Sequence, residues 1–91
     1  MKKAFHAVIH GKVQGVGFRY FTQRLAGELH LGGWVRNQPD NTVEIWAVGT
    51  QETLEQFMQR LEVGPIGSRV HHIEAQWSED PGNSKGFEIT G

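Results

Sequence analysis

The sequence predicts an α+β fold in which two helices pack on one face of an antiparallel β-sheet, in the order β-α-β-β-α-β with an extra strand. Apolar residues switch twice from a period of two to a helical period, which marks alternating strands and helices. Glycine makes up 12 of the 91 residues, against a typical share of about 7%, and falls mostly between the periodic segments as punctuation. A chain this short buries only roughly 64% of its unfolded surface on folding, enough for one core and one site.

Each element follows from its own pattern. Phe5, Ala7, Ile9, Gly11 and Val13 alternate with His6, Val8, His10 and Lys12, the signature of a strand with one buried face. Phe18, Phe21, Leu25 and Leu29 then fall at helical spacing, with Gln23, Arg24 and Glu28 outside. Gly32-Gly33 is expected to end that helix, and Trp34 to Asn37 reads as a second strand. Gln38-Pro39-Asp40-Asn41 is a turn in which Asp40 and Asn41 can both take positive φ. The strand Thr42 to Val48 follows, with Val43, Ile45 and Ala47 facing the core. Thr50 is the expected N-cap of the second helix, with Glu52 and Glu55 near its positive end. Leu54, Phe57, Met58 and Leu61 form its apolar stripe, and Gly64-Pro65 stops it. Val70 to Trp77 is a fourth strand with a bulge at His71-His72, where Val70 and Ile73 break the alternation. A loop through Pro81, Gly82 and Asn83 leads to a last short strand at Phe87 to Ile89. This is the split-βαβ, ferredoxin-like sandwich, expected as one domain over residues 1–91 with no repeat or linker.

Composition narrows the function classes. With 37% hydrophobic and 21% charged residues, the chain belongs with soluble globular proteins rather than disordered or membrane ones. No apolar run approaches the roughly 20 residues of a spanning helix. The Lys2-Lys3 start leads into a segment broken by His6, His10, Gly11 and Lys12, a poor signal peptide, so a cytoplasmic location is expected. The absence of cysteine excludes disulfides, thiolate nucleophiles and cysteine-ligated metals. A net charge of -1 argues against nucleic acid as a partner. The charge is unevenly spread, however. Residues 1–38 hold Lys2, Lys3, Lys12, Arg19, Arg24 and Arg36 against Glu28 alone, while Arg60, Arg69 and Lys85 face nine carboxylates in residues 39–91. An anionic partner would meet the N-terminal half.

The stretch Gly11-Lys12-Val13-Gln14-Gly15-Val16-Gly17-Phe18-Arg19 joins a strand to a helix. Its glycines let consecutive N–H groups turn toward one point beside a helix N-terminus, which is how backbone binds phosphate. Arg19 stands in the first helical turn, where its charge opposes the helix dipole unless an anion is present. The same residues also suit an ordinary turn with an exposed arginine, and the pattern alone leaves both readings open. Tyr20 breaks the dinucleotide fingerprint, and no Gly-Lys-Ser/Thr ending completes a nucleoside-triphosphate loop. Asn37 ends the second strand. The first helix brings strands one and two together in the expected topology, which would put Asn37 near the Gly15–Arg19 loop, where its amide would orient water.

No metal site is expected. His6 and His10 share a strand face about 13 Å apart, too far to chelate one ion, and His71 and His72 point opposite ways. The carboxylates are expected on helix faces and turns without paired spacing. Trp34 and Trp46 lie on the strand face away from the core, covered or half-exposed.

The nine residues Gly11–Arg19 resemble the first signature of the acylphosphatases at every defining position, and Gly33-Trp34-Val35-Arg36-Asn37 with Thr42-Val43-Glu44 resembles their second. The likeness extends over the whole chain, through Gly64-Pro65 to Phe87-Glu88-Ile89. The family usually carries Gly at 41 and 30, where this chain has Asn and His, differences that bear on local geometry. The resemblance implies hydrolysis of acyl phosphates to a carboxylate and inorganic phosphate, without metal, cofactor or covalent intermediate. Arg19 and the N–H groups of Gly15, Val16, Gly17 and Phe18 would bind the phosphoryl group, and Asn37 would position the attacking water. The expected partners are a small-molecule acyl phosphate and inorganic phosphate, with the protein acting as a monomer. A non-catalytic ferredoxin-like binding module is the alternative, but Thr42–Val48 lacks the basic-Gly-aromatic run of RNA-recognition domains. A third reading is an acylphosphatase-like domain serving a larger enzyme, as in hydrogenase-maturation carbamoyltransferases. The length of the chain favours a free-standing enzyme.

Overall fold

Alternation builds the middle of the sheet. Phe5, Ala7 and Ile9 are fully buried while His6 and Val8 between them stay partly exposed, so β1 (Lys3–Lys12) turns one face to the core. The computed structural model describes residues 2–82 and 84–91. Asn83, expected in the loop before the last strand, lies outside the described residues. After β1 come α1 (Phe18–Glu28), β2 (Gly32–Asn37), β3 (Val43–Gly49), α2 (Gln51–Val63), β4 (Arg69–Ser78) and β5 (Phe87–Ile89).

The sheet order is β4-β1-β3-β2-β5. Strands β1 to β4 pair antiparallel, as expected. The last strand departs from that expectation: β5 lies parallel to β2, with Val35 beside Ile89, and makes the sheet mixed. The direction follows from connectivity. β2 runs the same way as β1 and β4 the opposite way, so a chain that leaves β4 and crosses to the far edge returns alongside β2.

Register puts the apolar residues of neighbouring strands side by side. Phe5 faces Ala47, Ala7 faces Ile45, Ile9 faces Val43, and Val35 faces Ile45 from the other side. Both helices cover this face. α1 packs on β2 and β5, and α2 on β1, β3 and β4. The Phe5 and Phe57 rings stack with centroids 6.0 Å apart. Full burial of one such side chain contributes about 1.5–3 kcal/mol.

The helix ends show what local pattern does and does not fix. Thr50 caps α2 as expected, its hydroxyl accepting from Thr53 N at 3.2 Å, and Gly64 ends the helix with φ 70°. Only Glu52 lies in the first turn. Glu55 is a turn further on and accepts from Gln51 Nε2 at 2.9 Å. In α1, Thr22 takes a buried position and satisfies its hydroxyl on the Phe18 carbonyl at 2.8 Å, while Phe21 and Leu29 are only partly buried. Gly32 and Gly33 do not stop this helix. It closes earlier, with His30 N donating to Gly27 O at 3.2 Å and Leu31 N to Ala26 O at 2.8 Å. That is a Schellman motif with His30 as its left-handed residue, φ 57°. The two glycines open β2 instead. A Cβ at Gly33 would fall 1.8 Å from the Trp46 carbonyl oxygen, so close strand approach explains that glycine.

The turn after β2 also differs in detail. Asn41 alone takes positive φ, 73°; Asp40 instead accepts from the Thr42 amide at 3.1 Å and its hydroxyl at 2.5 Å. The expected bulge is present. His10 pairs with His72 and Gly11 with Val70, leaving His71 as the extra residue. Among the described residues no helix is long and apolar enough to cross a membrane.

Candidate active site

The loop from β1 to α1 is shaped by two left-handed glycines, Gly15 at φ 74° and Gly17 at φ 76°. A Cβ at either would meet only open space, so backbone conformation rather than crowding calls for glycine. Gly17 caps α1 without a side-chain bond, and no acidic residue stands in the first turn. A helix start leaves its leading N–H groups without internal partners, and here the first to donate to a backbone carbonyl is Phe21, to Gly17 at 3.0 Å. The site therefore gathers positive potential: unpaired amides, the helix dipole and the Arg19 guanidinium.

Strands β1 and β2 are not neighbours, contrary to the expectation that led to Asn37, because β3 runs between them. The loop itself spans the gap. Gln14 Nε2 donates to the carbonyls of Gln38 and Thr42, each at 2.9 Å, and so ties the loop to both ends of the β2–β3 turn. That turn is braced in its own right. Gln38 N donates to Thr42 O at 2.9 Å, and Gln38 Oε1 lies 2.8 Å from the Thr42 hydroxyl oxygen. The Thr42 hydroxyl and amide also hold the Asp40 carboxyl below its usual range. This clamp delivers Asn37 to the loop.

A cavity of about 100 Å³ results, lined by Gly15, Gly17, Phe18, Arg19, Tyr20 and Asn37 together with Val13. Phe18 is buried, so it can offer only backbone to this cavity, while Val16, between the glycines, packs its side chain toward the core. The Asn37 Oδ1 atom is buried with no hydrogen-bond partner among the described residues. An unsatisfied buried acceptor costs about 1–3 kcal/mol, so this oxygen calls for a hydrogen-bond donor from outside the described residues. Arg19 Nη1 donates to the carbonyl oxygen of Gly91. The residue before it, Thr90, is tied through its amide to Val35 O at 2.9 Å, so the guanidinium is held from the C-terminal side of β5. A larger cleft of about 550 Å³ at the other end of α1, beside Lys2, His30 and Lys85, lacks this convergence of amides and Arg19.

The opposite face of the sheet carries a different cluster. Glu44 does not lie on a helix or turn, as expected of the carboxylates, but in the central strand β3. It bonds His6 Nε2 at 2.6 Å, Arg36 Nε, and Gln38 Nε2 at 3.2 Å. Burial alone would raise its pKa; the bonds from His6 and Arg36 outweigh that and leave it below the ordinary value. Arg36 also lies over Trp34, 5.2 Å from the ring centroid, and Trp34 pairs with Trp46 on this half-buried face. The His10 and His72 rings lie 5.6 Å apart and tilted to each other across β1 and β4, a pairing set by register. Among the described residues no group of three His, Asp or Glu is arranged to hold a metal ion.

Of the residues expected to line an anion site, Gly15, Gly17, Phe18, Arg19 and Asn37 border this one cavity, and Val16 does not. Gln14 as the clamp and Gly91 as the Arg19 partner were not legible in the sequence, since each depends on contacts across the sheet; nor was Tyr20 as a wall, which depends on where α1 meets the cavity.

A family model described as acylphosphatase matches residues 5–89. An acylphosphatase of Thermus thermophilus is 47% identical over 83 residues, covering 91% of this chain and 93% of its own length. The crystal structure of acylphosphatase from Bacillus subtilis superposes with a TM-score of 0.96 at 36% identity, covering 98% of this chain and 99% of that one. The same fold also occurs inside a longer protein. Full-length HypF in its phosphate- and nucleotide-bound form matches with a TM-score of 0.91 and 30% identity over all of this chain but 12% of its own.

Proposed function

The chain belongs to the acylphosphatase family and hydrolyses acyl phosphates, and from that premise we propose that Arg19, the Gly15–Phe18 amides and Asn37 carry the reaction. The carboxyl-phosphate bond is broken to a carboxylate and inorganic phosphate. Arg19 presents a planar fork that contacts two phosphoryl oxygens at once, and the loop amides take the remaining charge. Asn37 accepts a hydrogen bond from water and aims its oxygen at phosphorus, in line with the acyl oxygen. The supporting observation is the buried, unpartnered Asn37 Oδ1 in the same small cavity as Arg19 and the two glycines.

The chemistry asks little more of the protein. As the water oxygen bonds to phosphorus, the bond from phosphorus to the acyl oxygen breaks and its electron pair leaves on the carboxylate. A carboxylate with a pKa near 4 departs without a general acid. Among the described residues no carboxylate or histidine lines the cavity, and the water's proton passes to the phosphate itself. Positioning and charge compensation account for most of the rate in phosphoryl transfer. The reaction needs no metal or cofactor in this reading, and the domain spans residues 1–91 as a cytoplasmic monomer.

Release of phosphate from benzoyl or acetyl phosphate tests the proposal, with excess EDTA present. Hydrolysis that persists in EDTA and is competitively inhibited by inorganic phosphate is expected. A loss of activity restored by Mg²⁺ or Zn²⁺, or purely non-competitive inhibition by phosphate, would overturn it.

A further inference from the structure

Tyr20 belongs to two cavities. It forms one wall of the small cavity that holds Arg19 and Asn37, and it also lines an adjoining groove of about 520 Å³ with Phe21, Gln23, Arg24 and Pro65. Tyr20 is 70% exposed although it is one of the largest residues in the chain. No hydrogen bond to its hydroxyl occurs among the described residues, and it is not part of the core. Its neighbours on either side have other work: Arg19 faces the cavity and Phe21 packs toward the core, 5.9 Å from Phe18.

Substrate shape connects the two spaces. The small cavity accommodates a phosphoryl group, and the acyl carbon is joined to it through one oxygen, so any sizeable acyl group must lie outside. Of the other walls, Gly15, Gly17, Arg19 and Asn37 are small or polar, while Val13 and Phe18 are apolar but buried. Among these lining residues Tyr20 is the one that is large and exposed, and so offers its surface at the mouth. It continues into the groove along Phe21 and Pro65, and Arg24 lies one turn beyond it on α1.

We infer that Tyr20 is a specificity-determining residue: the acyl group of the substrate lies against its ring and extends toward Phe21 and Pro65, so the enzyme favours aromatic or bulky apolar acyl phosphates over acetyl phosphate. The inference rests on the reading that the phosphoryl group occupies the Gly15–Arg19 loop. Aromatic contact of this kind alters kcat/KM by roughly three- to tenfold.

The test compares the protein with its Tyr20→Ala and Tyr20→Phe variants on benzoyl and acetyl phosphate, with the Ki for inorganic phosphate measured in each. Taking ratios within each variant cancels the different intrinsic reactivities of the two substrates. Tyr20→Ala is expected to lower the benzoyl-to-acetyl ratio of kcat/KM by roughly three- to tenfold, mainly through KM. Tyr20→Phe should retain the ratio, and the Ki for phosphate, which carries no acyl group, should stay constant. An unchanged ratio in Tyr20→Ala, or an equal loss on both substrates with a raised Ki, overturns the inference. Failure of the underlying phosphate site would show differently, as loss of competition by phosphate in the unsubstituted protein.

Discussion

Gln14 and Thr42, 28 residues apart, are joined by a 2.9 Å hydrogen bond from the Gln14 side-chain amide to the Thr42 carbonyl. The second proton of the same amide reaches the Gln38 carbonyl at 2.9 Å. One side chain thus fixes the distance between the glycine loop and the turn that carries Asn37. Gln14→Ala removes both bonds, each contributing about 1 kcal/mol. The melting temperature should fall by roughly 5–15 °C, and kcat should fall further than the stability loss alone explains, because the water and phosphoryl positions are no longer held together. Full activity in a Gln14→Ala protein would show that the loop and turn hold their places without the clamp.

What could be seen in the sequence was local. The alternation of Phe5, Ala7 and Ile9, the Thr50 cap and the Gly64 stop each depend on neighbours a few residues away, and all three are present. The glycine loop and Arg19 were visible for the same reason. Features set by strand order were not. Glu44 is buried because β3 lies between β1 and β2, which brings His6 and Arg36 to it from either side. Gly91 meets Arg19 only because β5 crosses to the far edge. Asn37 came near the loop by a different route from the one expected, through a side-chain clamp rather than strand adjacency.

The Schellman turn after α1 gives a stability prediction. His30 occupies the left-handed position at φ 57°, where a non-glycine residue is strained by about 1–2 kcal/mol. Glycine relieves the strain but loses more freedom on folding, which offsets part of the gain. His30→Gly should therefore raise the melting temperature by roughly 2–5 °C and leave kcat unaltered, since the site lies at the other end of α1. A lowered melting temperature would mean that His30 contributes contacts worth more than its strain.

Acid stability should depend on Glu44. Its pKa is lowered from 4.5 in the folded protein, where hydrogen bonds from His6 and Arg36 overcome the effect of burial. The unfolded chain then binds more protons in this window, so stability rises with pH there. The contribution is fully present above about 4.5 and is lost as pH falls through the lower folded value. Glu44→Gln should reduce stability at neutral pH and flatten the stability profile below 4.5. Denaturant unfolding across that range measures it, and an unchanged slope would assign the acid sensitivity to other carboxylates.

Arg19 and Asn37 should be separable by their effects on binding and turnover. In the proposed mechanism Arg19 would contact the phosphoryl group in both the ground and transition states, so Arg19→Ala should weaken phosphate binding and nearly abolish turnover. Arginines on transferring phosphoryl groups contribute on the order of 10³-fold or more. Arg19→Lys should recover little, because a point charge replaces neither the fork nor the bond to Gly91 that aligns it. Asn37→Ala would, in the same mechanism, remove the acceptor for water but no contact to the anion. Turnover should collapse while the Ki for phosphate stays near its original value. The circular dichroism of both variants should be native, since neither residue belongs to the buried apolar core, although Arg19→Ala should loosen the C-terminal residues that its guanidinium holds. If Asn37→Ala keeps most of its activity, or loses phosphate binding as severely as Arg19→Ala, the division of labour is wrong and the buried Asn37 oxygen serves the fold rather than the water.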